Sequence, residues 1–114
     1  MIHVTPYEAQ IYAIRPGVDR LTAANAAAFK AQVIAQIDGG ASQVIIDFQQ
    51  VAFVDSSGLG ALVGVLKKMG HKGELMIAGL HRDVAQMFHI CRMDSVFAIY
   101  PDVATAVQSM DAQL

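Results

Sequence analysis

The run Val44-Ile45-Ile46-Asp47-Phe48 constrains this chain more than any other stretch. Consecutive β-branched residues without polar alternation predict a strand buried on both faces, as in the middle of a parallel sheet. A helix-like segment precedes it, over roughly residues 22–38. Thr22 is placed to cap that helix, and Gly39-Gly40 stops it. Phe29, Val33 and Ile37 recur at helical spacing, with Lys30, Gln32 and Gln36 turned away.

The same alternation runs along the rest of the chain. Residues 2–5 and 10–15 read as two short strands around a Pro6-Tyr7-Glu8 turn, and Pro16-Gly17 ends the second. A connection over 49–55 leads to a second helix over roughly 57–70. Its apolar face is Leu59, Leu62, Val63, Leu66 and Met69, widened by Ala61 and Val65, with Lys67 and Lys68 at the negative end. Gly60 and Gly64 lie four apart within it. Each costs about 1 kcal/mol of helix stability relative to alanine, so the pair predicts a close approach to the backbone. A strand over 74–79 follows, then a helix over 82–92 with Val84, Met87, Phe88 and Cys91 inward. A strand over 96–100 comes next. Pro101 then opens a last helix whose apolar face is Val103, Ala106, Val107 and Met110. The order β-β-α-β-α-β-α-β-α predicts one α/β domain over 1–114, with a small, mixed, mostly parallel sheet, about four helices and right-handed crossovers.

Bulk properties exclude several functions. Hydrophobic residues make up 54% of the chain and charged residues 16%, which predicts a packed core. The net charge is −2, and the densest basic cluster is Lys67-Lys68 with His71 and Lys72, too small a footprint for nucleic acid. The longest stretch free of charge, Ser56–Leu66, is well short of the roughly 18–20 apolar residues of a membrane span. A single cysteine, Cys91, and a start without a basic leader lead to a cytoplasmic expectation.

Chemistry concentrates at Asp55-Ser56-Ser57-Gly58-Leu59-Gly60, where a strand-like run hands over to a helix. A helix start offers free N–H groups and the positive end of the helix dipole, so it accepts negative charge. Asp55, Ser56 and Ser57 are all able to cap, and one cap suffices, which leaves a hydroxyl surplus. Gly58 and Gly60 leave the turn uncovered to a large partner. A phosphate on either serine would add about −1.5 to −2 charges without unfolding the domain. A hydrolase reading fails, because neither serine sits in a Gly-x-Ser-x-Gly frame and no histidine–acid partner is evident. Gly58, Gly60 and Gly64 do not fit a nucleotide-binding loop, since Val63 stands where the third glycine belongs. His89 and Cys91, two apart on a helix, point about 200° apart and cannot share a metal. No catalytic residue, metal or cofactor is expected. Asp19, after Gly17-Val18, reads as a turn or capping acid.

The Asp55–Gly60 string after an apolar strand, with Gly17-Val18-Asp19 followed by Thr22-Ala23, resembles STAS domains, in particular the bacterial anti-sigma factor antagonists. The likeness extends over about residues 2–112. It implies a small mixed sheet with helices on one side. It further implies a binding module that, when unphosphorylated, engages a serine kinase of the histidine-kinase-like ATPase type. That kinase doubles as an anti-sigma factor, and its capture releases the sigma factor. The serine directly after the aspartate, Ser56, would take the phosphate, and a serine phosphatase would remove it. Asp19, Asp55, Ser57, Gly58, Leu59 and Gly60 would form the surrounding partner surface. The chain departs from the family at Leu80-His81-Arg82-Asp83, in place of a frequent Ser-Pro, and at Cys91-Arg92-Met93, in place of a glycine. Two other expectations use the same residues: an unphosphorylated scaffold subunit of a signalling or lipid-transport complex, or a small-molecule or nucleotide binder at the helix start.

Overall fold

A computed structural model describes residues 1–7 and 10–111. The elements are β1 (His3–Pro6), β2 (Ile11–Arg15), β3 (Arg20–Leu21), α1 (Ala26–Asp38), β4 (Gln43–Asp47), β5 (Phe53–Val54), α2 (Ser56–Met69), β6 (Glu74–Ala78), α3 (Arg82–Ile90), β7 (Ala98–Tyr100) and α4 (Val103–Asp111). Five strands form one sheet in the order β1-β2-β4-β6-β7. Only β1 runs antiparallel, paired with β2; the other pairings are parallel, as the element order predicts. The Val44–Phe48 run supplies the central strand, and Val44, Ile45 and Ile46 are all fully buried.

Alternation along the strands divides the interior in two. Ile14, Val44, Ile46, Leu75 and Ile77 face α1, α2 and α3 with Phe29, Val33, Leu62 and Phe88. Ile11, Ile45, Met76 and Ala78 face Ala106 and Met110 of α4 on the other side. The helices therefore do not lie on one side of the sheet, as the resemblance implies. The doubly buried central strands require a cover on the second face, and the apolar stripe of α4 provides it.

Several local expectations are corrected. The helix predicted from Thr22 begins at Ala26, because residues 22–25 fold as a turn. The N–H groups of Asn25 and Ala26 both donate to the Thr22 carbonyl, at 3.0 and 2.8 Å. The Asn25 side chain accepts from the Thr22 N–H and donates to the Arg20 carbonyl, which fastens the turn to β3. The 49–55 connection contains β5, which pairs in parallel with β3 as a separate two-stranded unit. Cys91, expected inward, is exposed, since α3 ends at Ile90 and Arg92 takes a left-handed conformation at φ 59°. The strand expected over 96–100 shortens to Ala98–Tyr100 after a 3-10 turn at Met93–Ser95. The last helix starts at Val103, with the Asp102 carboxylate accepting the Thr105 N–H at 2.7 Å. Glu8 of the first turn lies outside the described residues.

Candidate functional site

The β3–β5 unit positions the serine turn. Its register sets Arg20 opposite Phe53 and Leu21 opposite Val54, and the Asp55 N–H donates to the Leu21 carbonyl at 3.2 Å. β5 therefore delivers the chain to the start of α2 beside the loop that opens α1.

Asp55 is the residue that caps. Its backbone is extended, its Oδ1 accepts the Gly58 N–H at 2.9 Å, and its Oδ2 accepts the Ala23 N–H at 3.1 Å. One carboxylate thus ties the first turn of α2 to the β3–α1 loop. The Gly58 N–H, opposed by partial desolvation and aided by the Ala23 N–H, holds the Asp55 carboxyl below its ordinary value. Its proton is then bound more weakly in the folded than in the unfolded chain. The resulting stabilisation is present above the unfolded carboxylate value, about 4, and is lost as pH falls through the depressed folded value. Asp55→Asn keeps a capping oxygen and removes the titration. Thermal melts are expected to show the variant a few degrees less stable at pH 7, with the difference shrinking as pH falls below about 4. A difference unchanged across that range would contradict the charge-assisted clasp.

With Asp55 as the cap, Ser56 and Ser57 occupy the first turn of α2. Both are exposed, and among the described residues neither hydroxyl makes a hydrogen bond. Ser57 lines a shallow groove of about 320 Å³ between α1 and α2, walled by Ala23, Ala26, Ala27, Gly60, Ala61 and Lys30. Gly60 is open: a Cβ there would meet nothing within 4 Å. Gly64 is covered only by the flexible end of Lys30, whose Cε would stand 2.6 Å from a Cβ there, so neither Gly60 nor Gly64 meets another backbone closely.

Two expected surface residues point inward. Gly58 is buried, and a Cβ on it would lie 2.6 Å from the Leu21 carbonyl oxygen and 2.9 Å from Val54 Cγ1. Its smallness lets α2 sit against β3 and does not uncover the turn. Leu59 is 4% exposed and belongs to the core. Asp19 is exposed, but its carbonyl accepts the Ala52 N–H at 2.7 Å, which sets it at the opposite end of the two-stranded unit from Ser56. Residues 53–55 separate those ends, roughly 10 Å of extended chain. The residue that reaches the turn is Ala23, on the β3–α1 loop at the other end of β3, through a backbone N–H that carries no sequence signal. Beside the unit, the exposed Phe53 ring carries the Arg20 guanidinium 4.2 Å from its centre. Among the described residues, no three His, Cys, Asp or Glu side chains converge to hold a metal, and no helix is long and apolar enough to cross a membrane.

The profile of the STAS domain matches residues 11–106. BtrV, a Bordetella bronchiseptica protein assigned as an anti-sigma factor antagonist, is 30% identical over 80 residues, 69% of each chain. The structure is similar to that of a Thermotoga maritima protein assigned as an anti-sigma factor antagonist. That likeness has a TM-score of 0.86 at 19% identity and covers 95% of this chain and 92% of the other. It is also similar to the Bacillus cell fate determinant SpoIIAA in its phosphorylated form, with a TM-score of 0.72 at 17% identity, covering 96% and 99%.

Proposed function

The chain belongs to the STAS domain family, and on that footing we propose that it is an anti-sigma factor antagonist switched by phosphorylation of Ser56. It works as a non-catalytic, cytoplasmic binding module. Unphosphorylated, it engages a serine kinase that is also an anti-sigma factor and so frees the sigma factor; phosphorylated, it lets the kinase go, and a serine phosphatase resets it. The observation that carries this reading is the division of labour at the turn. Asp55 takes the cap, and Ser56 is left exposed with an unengaged hydroxyl in the first turn of a 14-residue helix. A phosphate there meets free N–H groups and the positive end of the dipole, so the fold tolerates the product. The accepting surface is the turn, the exposed face of α2 at Gly60, and the β3–α1 loop, with Asp19 available to pair with a basic residue of the kinase.

Incubation with ATP and the cognate kinase, followed by phosphopeptide mapping, tests the assignment. Phosphate is expected on Ser56 and is expected to be absent from Ser56→Ala. Phosphate on Ser57, or equal labelling of Ser56→Ala, overturns it. Absence of phosphate on both serines in cells and in vitro would point to the unphosphorylated scaffold instead.

A further inference from the structure

A second site lies away from the serine turn. α4 covers β4, β6 and β7 and packs on Ile11 of β2, and a cavity of about 540 Å³ remains beyond its first turn, where Arg15 ends β2. It extends over the C-terminal ends of β2, β4 and β6 to the start of α4, the edge where parallel α/β sheets present ligand crevices.

Asp47 is its base. It is the one buried charged residue among those described, 5% exposed. Both of its oxygens are engaged: Oδ1 accepts the Gln49 N–H at 2.9 Å, and Oδ2 accepts Arg15 Nε at 3.1 Å. Gly79, at φ 77°, lets the loop after β6 close over this pair; a Cβ there would stand 3.1 Å from Asp47 Oδ1. The buried carboxylate therefore holds Arg15 by Nε alone. The two Nη groups make no hydrogen bond among the described residues, and the Arg15 side chain is 44% exposed. A guanidinium fixed in this way presents a planar fork suited to a carboxylate. Across the cavity, Asp102 Oδ1 takes the Thr105 N–H, leaving those of Val103 and Ala104 as further donors at the wall. The negative charges of Asp47 and Asp102 disfavour a dianion. Leu80 and Pro101 add apolar wall for an organic body.

We propose that this cavity binds a small organic monocarboxylate, its carboxylate on Arg15 and its body against Leu80 and Pro101. The site is independent of the Ser56 switch and uses none of its residues.

Titration of the 15N-labelled protein with sodium acetate, sodium benzoate, benzylamine and inorganic phosphate tests the proposal. Saturable shifts of the Gly79, Val103 and Ala104 amides are expected with both carboxylates, larger with benzoate, and are not expected with benzylamine. Arg15→Lys keeps the charge beside Asp47 but loses the fork, and is expected to weaken benzoate about tenfold. Ala104→Glu suits a helix start, so the fold persists, while its charge faces the ligand; a loss of tenfold or more is expected. No saturable shift with either carboxylate, equal shifts with benzylamine, tighter binding of phosphate, or unchanged affinity in both folded variants overturns the proposal.

Discussion

Ser56→Asp is expected to bind the cognate kinase at least tenfold more weakly than the wild type, and the phosphorylated protein about a hundredfold more weakly. Ser56 is exposed in the first turn of α2, where added charge costs the domain little. The partner bears the effect. Burying an unpaired carboxylate or phosphate against a surface built for a neutral hydroxyl costs several kcal/mol, and tenfold corresponds to about 1.4 kcal/mol. Asp55, held ionised beside it, gives the new charge no neutralising partner within the turn. A phosphate, at about −1.5 to −2 and with greater bulk, acts more strongly than aspartate. Calorimetric titration of kinase with wild type, Ser56→Ala and Ser56→Asp measures this. Ser56→Ala should bind nearly as the wild type does, and melting temperatures of all three should agree within a few degrees. Equal affinity of Ser56→Asp and wild type would overturn the switch.

Phe88→Ala is expected to cost about 3–5 kcal/mol. α3 spans nine residues and buries only Val84 and Phe88, so one ring carries much of its attachment. That ring is fully buried and meets Phe48 edge-on at 5.9 Å and Phe97 at 6.4 Å. Its removal leaves a cavity between the helix and the loops that follow β4 and α3, and it ends two aromatic contacts. Since domains of this size are stable by about 5–15 kcal/mol, urea denaturation should show a large fall in midpoint. Phe88→Leu should retain more than half of the lost stability. Phosphate acceptance at Ser56 by the folded fraction should be unchanged, because α3 does not form the turn. A loss under 1 kcal/mol would show that α3 is held elsewhere.

The legible parts of this fold are those with long periodic patterns. Phe29, Val33 and Ile37 are buried as their spacing predicts, and the apolar face of α4 is Val103, Ala106, Val107 and Met110 as read. Misreadings fall at ends and at short pairings. Cys91 continues the α3 pattern, but the helix stops before it, so periodicity alone turned it the wrong way. β3 and β5 have two residues each and exist only because they pair with one another, so neither has a local signature. The side of the sheet that α4 covers is likewise a property of the crossover and not of its own residues.

At the site, residue types and their spacing alone place an acid and two hydroxyls at a helix start, where negative charge is welcome. That follows from local chemistry, since a cap and a helix N-terminus involve residues within one turn. Which group caps and which stays free depends on a contact from a distant segment. The second oxygen of Asp55 is claimed by the Ala23 N–H, 32 positions away in the chain, through the β3–β5 pairing. The same pairing packed Gly58 against β3 and set Asp19 at the far end of the unit, whereas Leu59 is buried as its helical spacing predicts. Contacts between distant segments depend on register, and two-residue strands leave no pattern from which register can be read.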